Sequence, residues 1–371
     1  MLVKGNKTLS NGKRSILLIQ LGDIGDVVLT MPAIKALREN FPETRLVVCV
    51  REKAKELIEN CPWVNDTISV DKKARSIKGE IIYQKNFICA LRKYSFDLAI
   101  DLRTGTRGAI LAFLSGANIR IGRYADDGNL WRNRLFTHLV RPEDELSQYS
   151  AEHNLNIIIP FDLNIMTRLP SLIITKKRKE GAYVLLKNKN VRFDRPVVAV
   201  HPFSLWKYKE WSVEHWISLI DYIGARYNFS IIITGSMEEE VRAREMALKC
   251  KGRVFNLVGK TTIGELPAVF KVCGLFIGVD TAALHIAAAV GTPTVGIFGP
   301  SSPTNWAPRG EQHCVISKDM PCVPCRQKGC HGSEISRCLE ELSFQEVKKM
   351  VDDQIERGLR YEIPGYLNDH M

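Results

Sequence analysis

Two doubly wound α/β domains are what this sequence predicts, and three observations predict them. Short apolar runs of strand length end in glycine-containing turns, helix-patterned segments follow those turns, and the alternation restarts after a charged stretch near residue 180. Composition agrees. The 371 residues suffice for two domains of ordinary size, and 45% hydrophobic with 25% charged residues is the balance of a globular chain. No apolar run approaches the ~18 residues of a bilayer span. The basic stretch Met1 to Arg14 is followed only by a strand-length run, so no secretory signal and a cytoplasmic location are expected.

The elements follow in order. Ser15-Ile16-Leu17-Leu18-Ile19-Gln20-Leu21 is short and wholly apolar at its centre, as a buried parallel strand should be. The turn Gly22 to Gly25 leads to a helix expected from about Asp26 to Asn40, which Phe41-Pro42 ends. A strand over Arg45 to Val50, a helix over Lys53 to Asn60 and a strand over Asp97 to Asp101 come next. The last runs into Leu102 to Gly108, a helix over Ala109 to Ser115 and a short strand near Ile119 to Gly122. Past Lys176 to Glu180 and a helical segment to Asn190, strands are expected over 196–202, 230–236 and 274–278. Helices are expected over 213–227 and 237–250, with a short one opened by Thr262. Ser343 to Arg357 reads as an amphipathic helix. The expected domains are therefore 1–180 and 181–342, facing each other, with a helix and tail over 343–371 packing back across them.

Charge is uneven. Residues 1–180 hold 29 Lys and Arg against 20 Asp and Glu, whereas the remainder holds 23 against 21. The first domain is thus the one suited to an anionic partner.

The most informative stretch is Gly278 to Ser301: strand, polar turn, small-residue helix, Gly-Thr-Pro break, strand, then the turn Gly299-Pro300-Ser301. Asp280 is expected to cap the helix, with Thr281 in its first turn and His285 one turn further on that face. A helix N-terminus attracts anions, and both turns should open at the carboxyl edge of one parallel sheet, where such sheets bind ligands. The inference is a diphosphate site.

Other motifs bear on it. Gly22-Asp23-Ile24-Gly25-Asp26 lacks dinucleotide spacing and carries two carboxylates that would repel a pyrophosphate, which argues against an oxidoreductase. One aspartate suits a helix cap and the other a general base, and the residues alone leave both assignments open. Trp206-Lys207-Tyr208-Lys209-Glu210-Trp211 follows a strand; its lysines suit a leaving diphosphate, with Trp211 packed beneath. Glu238, Glu239 and Glu240 open a helix, where acidic residues suit the dipole and one suits ribose hydroxyls. Ten cysteines include the cluster Cys322, Cys325, Cys330 and Cys338. Its density suits zinc, but the gaps are not those of paired zinc knuckles, and reduced thiols are the expected state.

Ile24-Gly25-Asp26-Val27-Val28-Leu29-Thr30-Met31-Pro32-Ala33, Lys209-Glu210-Trp211-Ser212, Val279-Asp280-Thr281-Ala282-Ala283-Leu284-His285 and Phe298-Gly299-Pro300-Ser301 together resemble the motifs of the ADP-heptose:lipopolysaccharide heptosyltransferases, glycosyltransferase family 9. Ser212 stands where those motifs have proline. The Cys-x2-Cys-x4-Cys spacing is similar to that of some members. The resemblance spans residues 15–345.

It implies a GT-B fold, with two Rossmann-like domains, acceptor bound by the first and nucleotide sugar by the second, and inversion without a metal or other cofactor. Asp26 would then be the general base. Lys209, Asp280, the amides of Thr281 and Ala282, His285 and the turn Gly299, Pro300 and Ser301 would hold the donor, ADP-heptose being the implied one, joined by Thr262 and by Glu238 or Glu239 at the ribose. Arg103, Arg107, Arg120 and Arg123 would grip an anionic glycolipid acceptor, the lipopolysaccharide inner core. The implied enzyme works peripherally on the inner face of the cytoplasmic membrane, with no nucleic acid partner. The alternatives are a family 9 enzyme using another nucleotide sugar for outer core or other surface polysaccharide, and a binding protein of the same fold without catalysis.

Overall fold

The computed structural model describes every residue except 10, 11, 13, 72–75, 127–129 and 361–371. The chain divides into two compact units, residues 1–173 and 174–371. The first contains β1 (Leu2–Lys4), β2 (Ser15–Gln20), β3 (Arg45–Arg51), β4 (Asp66–Val70), β5 (Leu98–Asp101), β6 (Ile119–Arg123) and β7 (His138–Val140) in the order β1-β7-β6-β5-β2-β3-β4. All neighbours are parallel except β1, which runs antiparallel to β7. The second contains β8 (Val197–His201), β9 (Ser230–Ile233), β10 (Val254–Asn256), β11 (Leu275–Val279), β12 (Thr294–Phe298) and β13 (His313–Ser317), parallel throughout, in the order β10-β9-β8-β11-β12-β13.

Central strands such as Ile16-Leu17-Leu18-Ile19 are buried on both faces, which is why they read as unbroken apolar runs. Strand order reverses between β2 and β5 in the first unit and between β8 and β11 in the second. The loops leaving those strands part to opposite sides there, opening a crevice at the carboxyl edge. The candidate residues of each unit lie at its own reversal.

Three expectations change. The helix expected from Asp26 to Asn40 is two, Ile24–Val28 and Met31–Asn40. Pro32 has no N–H with which to continue the first, and the Thr30 hydroxyl donates back to the Asp26 carbonyl at 2.7 Å. The helix Lys176–Asn188 packs on the helix Leu266–Val272, so the division falls at 173/174 rather than 180/181. The C-terminal helix, Phe344–Arg360, packs on β12, β13 and the helix Val213–Tyr227, burying Val347, Val351 and Ile355; the tail expected beyond it lies outside the described residues. No described helix is long and apolar enough to cross a membrane.

The N-terminus of that last helix supplies one prediction. Glu346 Oε2 accepts from the Ser343 hydroxyl at 2.6 Å and amide at 2.8 Å, and Lys318 Nζ lies 3.0 Å from Oε1. These donors, Ser343 first, draw its pKa from 4.5 down to about 2. A depressed carboxyl stabilises the fold above its unfolded pKa and loses that contribution as pH falls through the folded one. Glu346→Ala should therefore cost about 1 kcal/mol near neutrality, the scale of a solvent-screened cap. Urea melts should show the difference from the native chain shrinking as pH drops from about 4.5 toward about 2.

Candidate functional site

In the first unit the short helix after β2 carries Asp26 and the loop after β5 carries Arg103, one on each side of the strand-order reversal. Asp26 Oδ2 accepts from the Asp23 amide at 2.8 Å and from Arg103 Nη1 at 2.8 Å, while Oδ1 has no hydrogen-bond partner among the described residues. Gly22 is required for this arrangement: a Cβ there would sit 2.3 Å from Asp26 Oδ2 and 2.7 Å from Arg103 Nη1. Beneath the loop is a buried polar net. Gln20 Nε2 donates to Thr30 Oγ1 at 2.9 Å and its Oε1 accepts the Gly22 amide at 3.0 Å, and Asn154 Nδ2 donates to the Leu29 carbonyl at 3.1 Å. The short helix bearing Asp26 is thereby fixed at both ends.

The other aspartate differs. Asp23 is more than half exposed, and its Oδ1 meets Lys53 Nζ at 2.6 Å and Arg51 Nη1 at 3.0 Å. The Lys53 hydrogen bond, chiefly, holds its carboxyl below the usual range, which weakens it as a proton acceptor.

The four first-domain arginines part company. Arg120 donates to the carbonyls of Leu135 and Ala117 at 2.7 and 2.6 Å. Arg123 donates to the carbonyls of Leu102 and His153 at 3.2 and 2.6 Å and pairs with Glu145. Both lie on β6 and spend these guanidinium donors on neighbouring segments of the first unit. Arg103 is exposed, and Arg107 lines a cavity of about 500 Å³ with Glu80, Tyr83, Gln84 and Phe87.

Sequence reading missed what holds Arg103. Arg132 is fully buried and donates to the Arg103 carbonyl at 2.6 Å, the Arg123 carbonyl at 2.7 Å and Asp101 Oδ2 at 3.3 Å. Burial pushes the Asp101 carboxyl up and Arg132 pulls it back. A charged residue ending an otherwise apolar strand was the available signal.

In the second unit Lys209 leaves the loop after β8 on a turn of 3-10 helix, Lys207–Lys209, and its Nζ lies 2.6 Å from Asp280 Oδ2 at the end of β11. Asp280 is 4% exposed. The expectation that it caps the next helix is corrected: Thr281 holds the N-cap position of Ala282–Ala289, leaving the Asp280 carboxylate to bind Lys209. Thr281 Oγ1 is buried and has no hydrogen-bond partner among the described residues. The first amides of that helix have no intrahelical acceptor. His285 is buried one turn in, its ring 6.2 Å from that of Trp306. The second turn opens at the same edge, since β12 pairs with β11 in register Val279 to Ile297. Gly299 lies directly over Leu339, 2.6 Å from where a Cβ would stand.

Glu239 is turned inward: Oε2 accepts the Ser236 amide at 2.6 Å, and burial raises its pKa. Of the two candidate ribose ligands, Glu238 is the exposed one. Thr262 is exposed in a turn whose amide donates to Glu265 at 2.9 Å, and the helix begins only at Leu266. Trp211 is buried against the rings of His215 and Trp216 and donates to the Leu342 carbonyl at 2.7 Å. His201, at the end of β8, was not anticipated; burial lowers its pKa to about 4, and its neutral Nδ1 meets Thr234 Oγ1 at 3.0 Å.

One segment supports both turns. The Arg326 amide donates to the Pro300 carbonyl at 2.7 Å, the Ser336 hydroxyl to the Tyr208 carbonyl at 2.6 Å, and Leu339 underlies Gly299. The clustered cysteines lie in this segment and just before it, all free thiols. Cys338 is buried, which with Cys325, Cys330 and Cys322 nearby pushes its pKa up to about 11. Among the described residues no group of three or more His, Cys, Asp or Glu is placed to hold a metal ion.

The family model described as glycosyltransferase family 9 (heptosyltransferase) matches residues 85–335. Lipopolysaccharide heptosyltransferase 3 of Escherichia coli is 27% identical over 76% of this chain and 83% of its own. Lipooligosaccharide heptosyltransferase 2 of Campylobacter jejuni is 24% identical over 88% and 96%. Among solved structures, a family 9 glycosyl transferase from Veillonella parvula superposes with TM-score 0.82 at 19% identity, covering 95% of this chain and all of that one. The E. coli ADP-heptose lps heptosyltransferase II superposes with TM-score 0.74 at 19% identity, over 92% and 99%.

Proposed function

This chain belongs to glycosyltransferase family 9 and is a glycosyltransferase of GT-B fold, and from that premise we propose that it transfers heptose from ADP-heptose to the lipopolysaccharide core with inversion and without a metal. The relatives named for that reaction support the substrate class. The observation that carries the donor half is the Lys209–Asp280 pair beside the buried, unpartnered Thr281 hydroxyl.

In this reading Asp26 takes the proton of the acceptor hydroxyl through its open Oδ1. The hydroxyl oxygen bonds to the anomeric carbon from the face opposite the diphosphate, and the breaking C–O bond leaves its electron pair on the β-phosphate. Lys209, the amides of Thr281 and Ala282 and the turn Gly299–Ser301 receive that charge, preorganised where it develops. Asp280 keeps the Lys209 ammonium in place, and Glu238 serves the ribose. Arg103 and Arg107 meet the anionic acceptor. The protein works at the inner face of the cytoplasmic membrane.

A thermal-shift panel of ADP, UDP, GDP and CMP sugars, repeated with EDTA, tests the donor. ADP-heptose should raise the melting temperature most, and transfer should persist in chelator. A preference for UDP or GDP sugars redirects the substrate, loss of transfer in EDTA removes metal independence, and tight binding with no transfer from any sugar leaves a binding protein.

A further inference from the structure

The helix Ile77–Arg92 of the first unit turns outward a face that transfer chemistry does not require. Ile77, Ile81 and Ile82 are 84%, 64% and 50% exposed. Lys78, Lys85 and Arg92 are exposed too, with Lys93 just past the end. At 3.6 residues per turn these seven side chains share one half of the helix. The only acidic residue of the helix, Glu80, lies on the opposite side, accepting from Gln84 and lining the cavity. The helix Thr106–Leu114, packed alongside, carries exposed Phe113, while its Ile110 lines the cavity with Glu80.

The face thus combines apolar side chains with cations and presents no carboxylate from its own helix. Nucleic acid would match the cations and leave the isoleucines against phosphate; a hydrocarbon groove would match the isoleucines and strand the ammonium groups. A lipid interface matches both, with isoleucine entering at acyl depth and Lys and Arg meeting headgroup phosphates. We propose that this face docks the enzyme on an anionic phospholipid surface. The inference rests on the proposed glycolipid acceptor for its purpose, while its geometry stands without it.

The test is co-sedimentation with vesicles of phosphatidylglycerol and phosphatidylethanolamine, against phosphatidylcholine alone. The native chain should bind the anionic vesicles and be released as salt rises from about 0.1 M to 1 M. Each cation near such a surface carries a factor of about five, so Lys78→Glu/Lys85→Glu/Arg92→Glu should lower partitioning at least ~100-fold. Ile77→Ser/Ile81→Ser should lower it about tenfold and leave its salt dependence intact. The isoleucine variant should melt as the native chain does, because its replaced side chains are exposed; the cation variant should melt slightly lower, because it also loses the hydrogen bond from Arg92 Nε to the Leu114 carbonyl at 3.1 Å. Both should also transfer sugar normally to a delipidated, water-soluble acceptor. Unaltered vesicle binding in the variants overturns the proposal, as does a native chain that ignores anionic vesicles, including one that binds only a membrane protein. Absence of transfer to the soluble acceptor by the native chain would instead count against the enzymatic reading and leave the docking result standing.

Discussion

Asp26→Asn should abolish most transfer while leaving donor binding intact. The amide keeps the side chain's shape and can still accept the Asp23 amide through its oxygen, so the loop over Gln20 and Thr30 should hold. It cannot take a proton from an acceptor hydroxyl. General-base removal of this kind costs about 10²–10⁴ in rate, and the expectation here is a fall of about 10³ in kcat with the donor Kd unchanged. Stopped assays with the native acceptor, beside titration of the donor nucleotide, give both numbers. Asp23→Asn is the comparison: it removes a carboxylate already held by Lys53 and Arg51 and should leave most activity. If Asp26→Asn retains full activity and Asp23→Asn does not, the base is Asp23.

Lys209→Met should be the next largest loss. In this reading Nζ meets the departing diphosphate, and kcat/KM should fall by about 10²–10³. The change also leaves Asp280 buried without its cation, which costs about 2–4 kcal/mol of stability. Stability and chemistry can be separated. In the double variant Lys209→Met/Asp280→Asn the unpaired charge is gone, so the melting temperature should recover while donor affinity stays low. Recovery of both would mean that Lys209 acts only by neutralising Asp280.

Much of this was readable in the sequence, for a physical reason. Strands buried on both faces must be apolar throughout, so β2, β3, β5, β8, β9, β11 and β12 announce themselves. Half-buried β4 and the edge strand β13 mix polar and apolar residues, and neither was anticipated. The helix Ile77–Arg92 was missed because isoleucines on its outer face blur the contrast that marks an amphipathic helix. At the site, contiguous motifs pointed to Asp26, Lys209 and the two turns. Partners distant along the chain did not show: nothing local joins Lys209 to Asp280, Arg132 to Asp101, or His201 to Thr234. Nor does a sequence reveal that Arg120 donates to the carbonyls of Leu135 and Ala117, or Arg123 to those of Leu102 and His153.

The segment reaching from Arg326 to Leu339 braces the Tyr208 turn with one hydroxyl and the Gly299–Pro300 turn with one amide and one leucine. The two turns therefore do not vary as independent inheritances. A drift that enlarges Leu339 presses on Gly299, and one that removes the Ser336 hydroxyl loosens Tyr208, with the same short stretch transmitting either change to the other turn. Substitutions at these positions belong to one epistatic unit whose effects do not simply add. Lineages that retune the donor turns must carry their changes as matched sets.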